Sequence, residues 1–309
     1  MQDGRRHFLK GFAGAVGGWA SLQDGLVNAK ADPLPLAGNK RQTVRDKLWI
    51  WGHPAGSHNG RFGIPGTSRM TPAEGAFYLN VPNLVLAPFP DPKEPCNSLP
   101  EPALYDQYAI SFRPLRQVVW SIVGAGGVIP NGLQLDQQLA QKFPNIVGLM
   151  LDDFFRKTMD GSEVGLFTPG EVSFIHNQPE VNGRKLELWI TLQYTDLKYD
   201  LSAYLTRVDV VTYWAINAKN LEHLEDGFAQ AEKAAPHARK LLGCYLWDFG
   251  GHSPMPMGLM QKQCSLGLEW LRSGRIEGMI FLASCDCDLG LETVEWTRNW
   301  IREVGDTEL

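Results

Sequence analysis

The sequence is poor in the features that mark several large protein classes. Its five cysteines, Cys96, Cys244, Cys264, Cys285 and Cys287, are odd in number and contain no CxxC pair. Structural zinc sites are usually built from such pairs, so no metal centre is expected, and Cys285-Asp286-Cys287 alone is a weak signal. Past the first ten positions there is no long basic run, and the net charge is −5. Extended contact with nucleic-acid phosphates needs clustered Lys and Arg, so no nucleic-acid partner is expected. There is no Gly-x-Ser-x-Gly elbow, which removes the usual signal of a serine hydrolase. The turn Gly124-Ala125-Gly126-Gly127 lacks the Lys and Ser/Thr of a phosphate loop and does not fit a dinucleotide fingerprint. No cofactor is implied. No low-complexity linker divides the chain, and the Pro-rich stretch from Pro88 to Pro102 reads as an elaborated loop rather than a domain boundary.

What the sequence does have is apolar material and indole. Of its 309 residues 44% are hydrophobic and 20% charged, the balance of a globular chain with a sizeable core. Ten tryptophans supply flat apolar faces that each carry one N–H donor. Most are expected in the core, and those at strand ends are candidates for binding.

At the N-terminus, Gly4-Arg5-Arg6-His7-Phe8-Leu9-Lys10 precedes a mildly apolar, Gly-rich stretch from Gly11 to Ala20 and the small residues of Ala29-Lys30-Ala31. That stretch is too short and too rich in glycine to span a membrane as a stable helix. The run resembles a twin-arginine export signal. The resemblance implies residues 1–31 as a signal peptide cleaved before Asp32, 32–46 as an N-terminal extension, and contact with the twin-arginine translocation machinery during export. It also implies a periplasmic or secreted destination.

From Lys47 onward, short β-rich apolar runs alternate with amphipathic or capped segments. The runs are Leu48–Gly52, Asn83–Pro88, Gln117–Val123, Asn145–Asp152, Leu186–Tyr194, Val208–Trp214, Leu241–Asp248 and Ile276–Cys285. Several are continuously apolar, as strands buried on both faces are. Thr71-Pro72-Ala73-Glu74 and Thr168-Pro169-Gly170-Glu171 carry the chemistry of helix starts, with Thr as cap, Pro in the first turn and Glu reaching back. Later helices are expected at Leu224–Lys240, which Pro236 shortens, Leu259–Arg272 and Glu292–Val304. Eight strands alternating with helices predict an α/β fold, a (β/α)8 TIM barrel over 47–309. An open doubly wound sheet and a two-domain α/β protein are the alternatives.

In such a barrel the working site lies at the C-terminal ends of the strands. Those ends read Trp51-Gly52-His53, then Trp120 on strand three, Asp152-Asp153 after strand four, and Gln193-Tyr194 after strand five. They continue with Trp214, Trp247-Asp248 and, after strand eight, Asp286. Alternation sends Asp152 and Asp153 to opposite sides. Glycoside hydrolysis needs two carboxyl groups astride the bond, while sugar C–H faces stack on aromatic rings. The pattern resembles the barrel-fold glycoside hydrolases, in which acid and nucleophile often come from strands four and seven. That resemblance implies Asp153 or Asp152 as general acid and Asp248 as nucleophile or base. Gln193, Tyr194 and Asp286 would position a saccharide, with Trp51, Trp214 and Trp247 as stacking faces and His53 and Trp120 completing the binding rim. The commonest members carry Glu where this chain carries Asp. A barrel that binds carbohydrate without cleaving it, and a metal-dependent sugar isomerase or epimerase, therefore stand as the other two readings. Oligomeric state is not legible.

Overall fold

The computed structural model describes residues 41–88, 102–124, 127–155 and 165–309. The run that resembles an export signal, Cys96 and the middle of the Gly124–Gly127 turn lie outside the described residues.

Eight parallel strands form the barrel: β1 Leu48–Gly52, β2 Asn83–Leu86, β3 Gln117–Gly124, β4 Ile146–Leu151, β5 Glu187–Gln193, β6 Val210–Trp214, β7 Arg239–Tyr245 and β8 Gly278–Leu282. Each pairs with the next, and β8 pairs back onto β1 with Trp49 opposite Ile280. The sheet is closed, so it is the barrel the alternation predicted and not an open sheet. Helices follow the strands in turn: α1 Pro72–Leu79, α2 Pro102–Ser111, α3 Gly132–Lys142, α4 Pro169–His176, α5 Ser202–Leu205, α6 Leu224–Ala234, α7 Met257–Arg272 and α8 Glu292–Val304. α1 and α4 start at the two predicted capping boxes; in each the Thr hydroxyl accepts the backbone N–H of the Glu three residues on, and that Glu accepts the Thr backbone N–H.

Indoles fill the barrel interior. Trp49 on β1 meets Trp189 on β5 at 5.0 Å between rings, and one layer higher Trp51 meets Trp214 on β6 edge-on at 5.2 Å. Glycines on neighbouring strands leave them room. A Cβ on Gly243 would lie 2.1 Å from the Trp214 ring, and one on Gly148 would lie 3.1 Å from Trp189 Nε1. Interiors packed to crystal density leave no slack for such an atom.

Below these layers, the N-terminal mouth is a hollow of about 890 Å³ lined by charged side chains. These pair among themselves, Arg45 with Asp306, Arg116 with Asp46, and Arg239 with Glu187 and Glu277. Val44, in the 3-10 turn before β1, is fully buried, and its N–H bonds to the Thr307 carbonyl. The residues just ahead of Lys47 thus pack on the barrel base.

Candidate active site

At the C-terminal mouth a pocket of about 150 Å³ opens over the Trp51 and Trp214 layer. Its polar lining is Asp152, Asp153, His53, His58, Thr191 and Gln193, and its apolar wall is Trp51, Trp214, Tyr245, Phe62, Phe249, Ile216 and Leu282. Six of the residues singled out in the sequence therefore meet here, namely Asp152, Asp153, Trp51, His53, Gln193 and Trp214.

The two adjacent aspartates line the same pocket, whereas strict alternation would have parted them. β4 stops at Leu151 and the chain enters a turn in which Asp153 takes a left-handed backbone, φ 43°. Alternation holds only while the strand lasts. Asp and Asn tolerate this region better than other non-glycine residues, yet it stores of order 1–3 kcal/mol. Asp153 accepts a hydrogen bond from the Gln193 amide at 2.9 Å, and the Gln193 backbone N–H is itself held by Asp196 at 2.8 Å. The carboxylate is thus gripped from β5.

Both histidines are held neutral. His53 is buried, which brings its pKa down to about 4 against the opposing pull of the Ala87 carbonyl 2.9 Å from Nδ1. A carbonyl only accepts, so Nδ1 carries the proton and Nε2 keeps a lone pair. His58 is pushed well below its usual value by burial, then by the charges of His53 and Arg61, and its Nδ1 lies 2.6 Å from the Cys285 sulfur. Tyr245 is the reverse case. Burial, and after it the negative field of Asp153, Asp152, Asp196 and Asp248, raises its pKa well above normal, so the hydroxyl keeps its proton.

The other named residues are placed elsewhere by identifiable contacts. Trp120 points outward from β3 into the helix layer, stacked on Tyr105 at 5.5 Å and fully buried. Trp247 ties two rim loops together, its Nε1–H donating to the Phe62 carbonyl at 2.8 Å. Asp248 accepts the Gly251 N–H at 2.8 Å and closes the turn beyond β7. Tyr194 begins the 3-10 turn Tyr194–Asp196 and rests against Gly227 of α6, where a Cβ would come within 2.8 Å of its ring. Asp286 is wholly buried, and one of its oxygens accepts the Ala283 N–H at 3.2 Å to close the turn after β8.

Among the lining residues that sequence reasoning did not single out are Tyr245, His58, Phe62 and Phe249. Tyr245 was within reach. Leu241, Gly243 and Tyr245 share a parity, and β7 ends at Tyr245, three residues before the predicted Asp248. The other three sit on loops without a period to betray them.

Among the described residues no group of three or more His, Cys, Asp or Glu side chains is spaced to hold a metal ion, and no helix is long and apolar enough to cross a membrane. Fold and pocket together define a (β/α)8 barrel with a small acidic and aromatic pocket at the C-terminal mouth. Among solved structures it is similar to a candidate alpha-L-fucosidase from Bacteroides thetaiotaomicron, with a TM-score of 0.53 at 11% identity over 89% of this chain and 98% of that one. It is also similar to the GH99 endo-alpha-mannosidase of the same organism, with a TM-score of 0.50 at 9% identity over 85% and 98%. A third is the beta-galactosidase of Marinomonas ef1, with a TM-score of 0.50 at 10% identity over 84% of this chain and 59% of that one. At these identities the likeness is one of fold. No family model matches the chain, and no curated protein matches it in sequence.

Proposed function

We propose that the chain is a carbohydrate-active barrel that hydrolyses glycosides, with Asp152 and Asp153 as the working carboxylates. The observation that carries this reading is that both side chains reach one aromatic-walled pocket at the C-terminal mouth, where barrels of this fold build their sites. The names of the structurally similar barrels point the same way.

In this reading one carboxylic acid protonates the departing glycosidic oxygen. The other, ionised, attacks the anomeric carbon or draws a proton from the attacking water. Gln193 fixes Asp153 in position, and the Tyr245 hydroxyl stays protonated in the same acidic field. Trp51 and Trp214 offer apolar faces to the sugar ring. Asp248, bonded into its own turn, supports the loop that bears Phe249.

Asp153→Asn and Asp152→Asn are each expected to fold, since Asn accepts the left-handed backbone at 153 as readily as Asp. Each is expected to lose roughly 10²-fold to 10⁴-fold in turnover of a 4-nitrophenyl glycoside that the wild type cleaves. Full activity in both variants, with unchanged circular dichroism, would sink the assignment.

A further inference from the structure

We infer that Gln263, in the helix layer outside the barrel, is a positioning residue of the pocket: it holds Tyr245 so that the phenol hydroxyl donates a hydrogen bond to the bound ligand. This rests on the reading of the C-terminal mouth as the working site, and it adds a neutral donor and its support to the two carboxylates.

The backbone at the end of β7 shows why support is needed there. Backbone N–H and carbonyl groups inside a protein must find partners, and a strand supplies them only while its ladders last. β7 pairs with β6 as far as Leu242, opposite Tyr213, but with β8 as far as Tyr245, opposite Leu282. Its last residue therefore has a strand on one side alone. Gln263 takes the other side: its side-chain carbonyl accepts the Tyr245 N–H at 2.8 Å, and its Nε2–H donates to the Tyr245 carbonyl at 3.3 Å. The carboxamide does for Tyr245 what a neighbouring peptide would do. It stands in the buried stripe of α7 with Met260, Cys264, Gly267 and Leu271, and is itself wholly buried. An amide in such surroundings costs free energy unless it is bonded, so the same two bonds hold Gln263 in place.

The side chain of Tyr245 depends on this grip. Among the described residues its hydroxyl has no hydrogen-bond partner. The ring is placed by its own backbone and by its contacts with Trp214 and Phe249, at 5.3 Å and 6.0 Å between ring centroids. It lines the pocket together with Asp152 and Asp153. Burial, and then the charges of Asp153, Asp152, Asp196 and Asp248, raise the pKa of the hydroxyl well above normal. A phenol that stays protonated is a donor, and a ligand oxygen entering the pocket is the acceptor that completes it. Released from Gln263, the Tyr245 peptide shifts and carries the hydroxyl with it.

The experiment is a double-mutant cycle of Gln263→Met and Tyr245→Phe in the full chain, read as kcat/KM on a 4-nitrophenyl glycoside that the wild type cleaves. Met keeps the length and the apolar contacts of the side chain and removes both hydrogen bonds. Each single variant is expected to lose roughly tenfold. The double variant is expected to lose roughly tenfold again and not a hundredfold, because one change removes the hydroxyl that the other has misplaced. Losses that multiply, or a Gln263→Met variant as active as the wild type, overturn the inference and leave hydrolysis standing. Should Gln263→Met not fold, Gln263→Asn, too short to reach both backbone groups, takes its place in the cycle. Gln263→Glu is the conservative rescue. Burial favours its neutral carboxylic acid, whose carbonyl accepts and whose O–H donates as the amide does. At about pH 5 it is expected to match the wild type, and a variant no more active there than Gln263→Met overturns the inference. Tyrosine labelled with carbon-13 at Cζ gives a readout that needs no substrate, the Tyr245 resonance being the one missing from Tyr245→Phe. It is expected to move in Gln263→Met and to return in Gln263→Glu; a resonance that stays in place overturns the inference. Movement with no glycoside cleaved upholds Gln263 as a positioning residue and removes the hydrolytic reading.

Discussion

Burial makes Asp286 a pH-dependent liability. Enclosure raises its pKa to about 7, against the Ala283 N–H that lowers it and with the Asp288 charge adding to the rise. One of its oxygens has no hydrogen-bond partner among the described residues. A carboxyl whose folded pKa exceeds its unfolded value binds more protons when folded. Its contribution is therefore fully present below the unfolded pKa of about 3.9 and is lost as the pH rises through 7. Asp286→Asn, which keeps an acceptor for the Ala283 N–H, is expected to reduce the fall in melting temperature between pH 5 and pH 8. An unchanged fall in the variant would show that another group is responsible. Asp136 in α3, whose carboxyl is wholly buried and unpartnered among the described residues, titrates in the same sense. Asp209 acts in the opposite sense at more acid pH, since, against the burial that raises it, the Leu188 N–H and His176 lower its pKa below the usual carboxylate value. Single variants are thus needed to separate them. Nothing in the order Cys285-Asp286-Cys287 announces this burial; it follows from β8 ending at Leu282 and the chain turning inward.

At the scale of elements, helix starts are the most legible features of the sequence, because their chemistry is local. Thr168 accepts from the Glu171 backbone at 3.2 Å, and the Glu171 carboxylate accepts the Thr168 N–H at 2.7 Å. Thr168→Ala is expected to cost about 1 kcal/mol, read as a drop of roughly 2–4 °C in melting temperature for a chain of this size. A drop of less than half a degree would mean that tertiary packing of α4 makes the cap redundant. Strand interiors were also legible, but their ends were not. The Leu241–Asp248 run continues three residues past the last barrel residue of β7, because Trp247 and Asp248 leave the barrel to pair with Ser253 and Pro254. That overrun moved the expected carboxylate from the pocket to a turn. Trp120 is a related case. Its strand was placed correctly, but a strand apolar on both sides does not reveal which parity faces inward.

At the scale of the whole molecule, the pocket floor and the barrel core are the same object. Trp214 closes the interior layer with Trp51, bonds through Nε1–H to Thr212 at 2.9 Å, and lines the pocket above. Gly243→Ala places a methyl group where the indole stands. It is expected to destabilise by about 1–3 kcal/mol through overpacking and to weaken ligand binding at the same time. A variant that keeps wild-type affinity after losing that stability would show the pocket to be independent of the layer beneath it.

The sequence by itself determined eight strands alternating with helices, for which a barrel is one of few arrangements, and the pairing of β8 with β1 decided that the sheet closes. The sequence also identified the strand-end residues from which the pocket is drawn, because backbone direction and hydrophobic period are local properties. Only the tertiary structure decided which of those residues share a cavity. The left-handed turn at Asp153, the inward glycine that makes room for Trp214, and the loop contact between Trp247 and Phe62 each depend on atoms far apart in the chain. Convergence on a pocket is a property of three-dimensional packing, and no periodicity along one dimension encodes it.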